Sequence, residues 1–423
     1  MVARVKFALA IHGSRGDVEP FAAVGLELQR RGHEVRIAVP HDMCGLVASS
    51  GLAPVPYGPD MHEVQQLLHD DVFGNIWTVQ NPIKLIRRCV EVLHQAWADM
   101  GTALTALADG TDLLLTGMVQ QGLAANVAEH YNIPVAALHS FPVRVNGQLV
   151  PRLPSPLLRS AISAFWWLHW RVTKRVENVQ RRELGLAKAS RSSTRRIVER
   201  GSLEIQAYDE FCFPGLASEW AHWTGQRPFI GALTLQLPTD VDDEVATWIA
   251  AGTPPIYFGF GSMPIKSPRD TVAMIAAACE QLGERALICT GAEDVVQIPH
   301  SDHVKVVRAV NHGAIFPMCR AVVHHGGAGT TAAGMRAGVS TLILWIWADQ
   351  PIWAAQVKRL GVGFARRFSA TTQKSLVADL RRVLAPQYLN RAREIATQMT
   401  KPDVSVAMAA DLVEDAAKRN QFG

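Results

Sequence analysis

The feature that most constrains this chain is a repeated change of hydrophobic period. Short apolar, β-branched runs alternate with longer stretches of helical spacing, and they do so in two separate series. In the first series, strands are expected at 5–11, 35–39, 112–116, 134–139 and 203–208. In the second they are expected at 255–261, 285–290, 304–310, 321–325 and 341–347. Each series is long enough for its own parallel sheet with helices on both faces, so the fold class is α/β with two doubly wound domains. The polar segment 237–243, with Pro238, Asp240 and Asp242, reads as the linker. The domains expected on either side are 1–236 and 244–400. Pro402-Asp403 reads as a helix start, giving a last helix over 403–423 with Val404, Met408 and Leu412 as its apolar stripe, able to pack back on the N-terminal domain.

At about 150 residues per domain, 423 residues suit two or three domains. With 48% hydrophobic and 19% charged residues, the chain is too apolar for disorder. No run approaches the roughly 18 apolar residues of a membrane span. The stretch Phe7 to Ile11 is too short for a signal-peptide core. The six cysteines lie far apart, without zinc spacing, which suits a reduced, cytoplasmic chain.

Two loops carry chemistry. His12-Gly13-Ser14-Arg15-Gly16-Asp17 follows the first strand and opens a helix, placing it at the carboxyl edge of a parallel sheet, where ligands of open α/β sheets bind. It offers only Gly13-x-x-Gly16, and the second strand ends Val39-Pro40-His41 without an acid, so a dinucleotide site does not fit. Asp17 suits a general base toward a hydroxyl, or simply a helix cap. His12 is either a second site group or a hydrogen-bonded structural residue.

The second loop reads His324-His325-Gly326-Gly327-Ala328-Gly329-Thr330-Thr331 before another helix. Glycines permit close backbone approach, and a helix N-terminus presents free N–H groups, which together suit a phosphate. The other reading is a tight turn with glycines for packing. No Lys follows, so this is not a Walker loop. Gly259-Phe260-Gly261-Ser262 puts Ser262 at the same edge, and Asp349-Gln350 begins a later helix with groups suited to sugar hydroxyls or to capping.

Together these residues resemble the inverting family 1 glycosyltransferases of the GT-B fold, which have two Rossmann-like domains facing across a cleft. The chain is similar in particular to bacterial enzymes acting on glycopeptide antibiotics and mycobacterial glycopeptidolipids, and to sterol glucosyltransferases, which share the Gly13-Ser-Arg-Gly-Asp17 pattern. The resemblance implies that Asp17 is the catalytic base. It implies a donor diphosphate held by Ser262, His325, Gly327, Ala328, Gly329 and Thr330, and a donor sugar held by Asp349 and Gln350. The nucleotide base would lie near Val310 and His312, and the acceptor near His12, Trp166 and Trp170. Many plant members use a His in the first loop with an Asp after a later strand. Here the loop carries Asp17, and Asp112-Leu-Leu-Leu-Thr-Gly117 has no acid at the partner position, which favours direct action by the carboxylate.

The implied reaction moves a hexose or deoxyhexose from a UDP- or dTDP-sugar to a hydroxyl of a lipidic, peptidolipid or other hydrophobic acceptor, with inversion and with no cofactor beyond the co-substrate. Asp240-Val241-Asp242 matches a metal-binding DxD pattern, but a linker is where solvated acids are expected, and no metal is implied. The competing readings are a nucleotide-sugar-binding protein without transfer and a nucleotide-sugar epimerase of the same fold.

The formal charge of +4 hides an asymmetry. Residues 152–200 hold twelve basic residues and three acids, a local +9 that leaves −5 for the rest. Leu158, Ile162, Phe165, His169, Val172 and Val176 follow helical spacing, flanked by Trp166, Trp167 and Trp170. This helix could lie on the anionic inner face of a membrane, wall an acceptor pocket, or pack as ordinary core. No nucleic-acid module is present.

Overall fold

The computed structural model describes residues 4–61, 96–150, 153–223, 225–235, 237–261, 267–291 and 302–421. Among these, two six-stranded sheets form, and every recorded pairing within them is parallel. The first contains β1 (Lys6–Ala10), β2 (Glu34–Val39), β3 (Pro54–Pro56), β4 (Leu113–Thr116), β5 (Val135–His139) and β6 (Leu203–Gln206), in the order β3-β2-β1-β4-β5-β6. The second contains β7 (Ile256–Gly259), β8 (Ala286–Cys289), β9 (Val304–Val307), β10 (Ala321–His324), β11 (Ser340–Trp345) and β12 (Gly363–Arg367), in the order β12-β11-β10-β7-β8-β9. The two orders are the same topology read from opposite ends. Strand order therefore reverses between β1 and β4 in one sheet and between β7 and β10 in the other, and ligands of such sheets bind at that reversal.

All ten expected runs are strands, with ends within three residues of expectation. Except in edge strand β9, where Lys305 and Val306 are half-buried, their central residues are largely buried on both faces, as parallel sheets covered by helices require. Two strands escaped the pattern. Edge strand β3 is Pro-Val-Pro, and prolines remove ladder donors; β12 carries Arg366 and Arg367, whose charge masks its period.

The chain divides into two compact units. One comprises Met1–Glu210, Pro214–Leu233 and Pro402–Gly423, and the other comprises Phe211–Phe213 and Thr234–Lys401. Phe211–Phe213 joins the second because Arg359 donates to the carbonyls of Phe211 (2.8 Å) and Cys212 (3.0 Å), while Phe213 meets Trp353 edge-on. In the first, Arg31 ties the Pro402–Gln421 helix down through Asp411 (2.6 Å) and Glu414 (3.0 Å). That helix buries Ala409, Ala410, Val413 and Ala417, whereas the expected stripe residues Val404 and Met408 are exposed. Small side chains let it lie close against the Arg15–Arg30 helix, and larger ones on that face would push it away.

The segment expected as a linker ends in the Asp242–Ala250 helix. The Asp242 carboxylate is engaged there: it accepts from Thr239 N (2.7 Å), Thr239 Oγ1 (2.7 Å) and Asn311 N (2.9 Å).

Candidate active site

In the first unit, the loop after β1 stands at the reversal point. The helix it opens starts at Arg15, so its N-cap is Ser14, and Asp17 is its third residue rather than the cap itself. Ser14 N (2.9 Å) and Ser14 Oγ (3.1 Å) both donate to Asp17 Oδ2. The pattern Ser14-x-x-Asp17 is a capping box, a signal legible in the sequence. Oδ1 has no hydrogen-bond partner among the described residues. A Cβ at Gly13 would lie 2.5 Å from Asp17 Oδ2, so this close fold of the carboxylate over the loop needs glycine there. Burial raises the Asp17 pKa above its ordinary value of 3.8, although the Ser14 bonds and nearby His12 work against the rise. A carboxylate with a raised pKa and one oxygen unbonded is suited to take a proton.

His12 is pinned: its Nε2 is 2.7 Å from the carbonyl of Pro59, and a Cβ at Gly58 would collide with its ring. Sequence reasoning overlooked Gln120. It follows β4, near the position where plant relatives would carry an acid, and its buried amide donates to the His12 carbonyl (3.4 Å). An amide just past a β4 glycine was the available signal.

In the second unit, three loops converge. β10 pairs with β7 so that His324 is level with Gly259, which sets the glycine loop of 259–261 beside His325. A Cβ at Gly261 would lie 2.8 Å from the His325 ring, and one at Gly327 would lie 2.7 Å from it. His325 is thus clasped between two glycines. Burial pushes its pKa down to about 4, offset only in part by the Gly259 carbonyl, so the ring is neutral near pH 7. His324 is buried deeper and held well below its usual range; its Nδ1 accepts from Gly326 N (3.0 Å), which makes it a brace for the turn.

The Ala328–Arg336 helix then begins at Gly327 with no side-chain cap and no acid in its first turn. Its first intrahelical acceptor serves Thr331, leaving the amides of Ala328, Gly329 and Thr330 without one. The paired threonines divide the work. Thr331 Oγ1 turns back to Gly327 O (2.8 Å) and is buried, while the half-buried Thr330 hydroxyl has no partner among the described residues.

The third loop leads from β11 into the Gln350–Leu360 helix. Gly326, at φ +101, approaches Gln350 closely. Gln350 Oε1 accepts from Ile346 N (2.8 Å) and Trp347 N (3.2 Å), so its carbonyl holds the loop. Asp349 is the N-cap residue, and Ala348 before it adopts φ +58, a left-handed conformation that costs of order 1–3 kcal/mol outside glycine. Val310 is buried in the core. His312 stacks on Phe316 at 4.4 Å and lies 3.2 Å from the Tyr257 hydroxyl. Ser262 lies outside the described residues.

Comparison with known proteins agrees with the two-sheet fold. Residues 7–108 match the model of the glycosyltransferase family 28 N-terminal domain, and residues 286–416 match that of the erythromycin biosynthesis protein CIII-like C-terminal domain. An uncharacterized glycosyltransferase of Mycobacterium leprae is 64% identical over 99% of this chain and 98% of its own length. The chain belongs to the family 1 glycosyltransferases of the GT-B fold. More distantly, this glycosyltransferase is 28% identical to a sterol 3-beta-glucosyltransferase of Arabidopsis thaliana, over 97% of its own chain and 68% of the relative. Its fold superposes on the calicheamicin glycosyltransferase CalG4 with a TM-score of 0.70 at 17% identity, covering 99% of both chains. The glycosyltransferase VinC in complex with dTDP gives 0.64 at 19% identity, covering 98% of this chain and all of that one.

The basic, tryptophan-rich stretch of the glycosyltransferase is a helix, Ser155–Glu183. Its buried or half-buried face runs through Leu158, Ile162, Trp166, Trp170, Thr173 and Gln180. The expected stripe is corrected: Leu158 and Val176 are buried, but Phe165 and Val172 are exposed. Polar anchoring decides the rotation. Trp166 Nε1 donates to Val143 O (2.9 Å), Gln180 Oε1 accepts from Asn126 (2.8 Å), and Arg181 pairs with Glu129 (2.9 Å). These bonds, unlike apolar spacing, cannot be read from a helical wheel. Among the described residues no helix is long and apolar enough to cross a membrane.

Proposed function

We propose that this glycosyltransferase is an inverting enzyme that moves a hexose or deoxyhexose from a UDP- or dTDP-sugar to a hydroxyl of a hydrophobic acceptor. Asp17 carries the reading, because it is a base of raised pKa at the strand-order reversal of its sheet, with Oδ1 unbonded. As the acceptor oxygen attacks the anomeric carbon, Asp17 takes its proton. The bond from that carbon to the diphosphate oxygen breaks, its electron pair leaves with the nucleoside diphosphate, and attack from the opposite face inverts the centre.

The uncapped helix at 328–330, the Thr330 hydroxyl and the neutral His325 ring would donate to the departing diphosphate, where charge develops. Asp349 would take sugar hydroxyls, with Gln350 holding its loop. Since the Val310 side chain is buried, the nucleotide base would meet backbone there and the His312 region. The neighbour crystallised with dTDP supports a nucleoside diphosphate donor, and the sterol glucosyltransferase supports an apolar hydroxyl acceptor. The Asp242 bonds favour a capping role for that acid of the DxD pattern, and the scheme uses no metal.

The test is to incubate the protein with UDP- and dTDP-hexoses and a panel of hydrophobic alcohols. The expected outcome is nucleoside diphosphate release that depends on the acceptor, with the product anomer opposite to the donor's. Donor conversion without any acceptor, or retained configuration, would contradict the reading.

A further inference from the structure

The outward face of the Ser155–Glu183 helix is the reverse of what a solvated helix shows. Leu157, Phe165, Trp167 and Leu168 each keep more than half of their surface exposed, and Val172 nearly half. They form one broad face along about 22 Å of helix, turned away from the packed side chains of Trp166 and Thr173. Soluble surfaces carry isolated apolar residues, but a continuous stripe of large ones marks a site of contact.

Charge selects the occupant. From Ser155 to Val176 the helix has no acid, while Arg171, Lys174 and Arg175 continue the stripe toward its C-terminal half. Arg171 stands over the Trp167 ring at 5.8 Å and Lys174 over Trp170 at 4.6 Å. A second copy of this face would bring two basic stripes together and repel. An anionic bilayer takes both features at once, with Leu, Phe and Trp entering the headgroup region and the cations meeting lipid phosphates.

We infer that this face docks the enzyme on an anionic membrane surface, lying in the interface rather than spanning it. This does not rest on the catalytic assignment. It places the enzyme where hydrophobic hydroxyl acceptors are concentrated.

Cosedimentation of the full chain with phosphatidylglycerol-containing and pure phosphatidylcholine vesicles tests it. Two triple variants accompany the wild type: Phe165→Ser/Trp167→Ser/Leu168→Ser and Arg171→Glu/Lys174→Glu/Arg175→Glu. All six residues are exposed or, for Lys174, half-buried, so both variants should melt like the wild type. Binding is expected to anionic vesicles, at least tenfold weaker to zwitterionic ones, and weakened by salt. Each basic residue near such a surface is worth roughly fivefold in partitioning, so the charge variant should lose on the order of a hundredfold. The inference is overturned if the wild type ignores anionic vesicles, or if either variant binds them as well as the wild type. It is also overturned if the wild type self-associates through this face, measured by sedimentation, without binding lipid. Vesicle binding is read without donor or acceptor, so its outcome is independent of whether transfer occurs.

Discussion

The two units solve the same problem with opposite sign. In each, a strand at the reversal point runs into a glycine-bearing loop and then a helix N-terminus, which carries partial positive charge. After β1 the chain fills that position with its own carboxylate, since Asp17 folds back on Ser14. After β10 it leaves the position open, with no cap, no acid and three amides without intrahelical acceptors. One fold thus yields a base in one place and an anion site in the other, and the choice rests on one or two residues.

The largest effect should come from removing the charge at the filled terminus. Asp17→Asn keeps an oxygen for Ser14 and so retains the cap, but it cannot take a proton. Transfer should fall by about 10²–10⁴-fold, with donor binding intact. Stability near neutral pH should not suffer from loss of the charge. A carboxyl whose folded pKa is raised favours its neutral form, so the native state loses stability as pH rises through 3.8 toward the folded value. Full turnover by a folded Asp17→Asn protein would remove the base assignment.

At the open terminus, the two threonines separate ligand from structure. Thr330→Val should weaken binding of a nucleoside diphosphate by roughly tenfold, the size of a hydrogen bond to a charged group, with melting unchanged. Thr331→Val should instead destabilise by about 1 kcal/mol through the lost bond to Gly327 O, read by denaturant unfolding, and leave affinity nearly intact. Equal effects from the two would blur the distinction.

How much of this was legible in the sequence depends on the kind of information. The ten expected strands and both loops follow from hydrophobic period and glycine placement, which are local. The capping box was also local, in Ser14-x-x-Asp17, but a single acid can read as cap, base or both until its two oxygens are told apart. What the sequence hid are choices fixed by distant partners. Thr331 rather than Thr330 turns inward, Gln350 spends its carbonyl on Ile346 and Trp347, and Gln120 reaches the backbone of His12. The long basic helix misled because it is apolar on both sides, and Val143, Asn126 and Glu129 decide which side packs.

The smallest effects are in pH dependence. The acid limb of kcat/KM should lie above 3.8, because burial raises Asp17. Affinity for the nucleotide sugar should stay flat between about pH 5 and 8, because His325 titrates only near 4. Tightening as pH falls through about 6.5 would make His325 a cation in the complex and contradict its neutral role.

The contrast between the two termini is tested most directly by closing the open one. Among the described residues, and apart from its chain neighbours and its own helix backbone, nothing lies within 4 Å of a Cβ built at Gly329, so Gly329→Asp fits there and puts a carboxylate in the first turn. Calorimetric titration with UDP and dTDP should show binding by the wild type and by Asp17→Asn. In Gly329→Asp that binding should be lost by about a hundredfold or more, with the helix slightly more stable. Undiminished nucleotide binding by Gly329→Asp, or none by the wild type, would contradict the account.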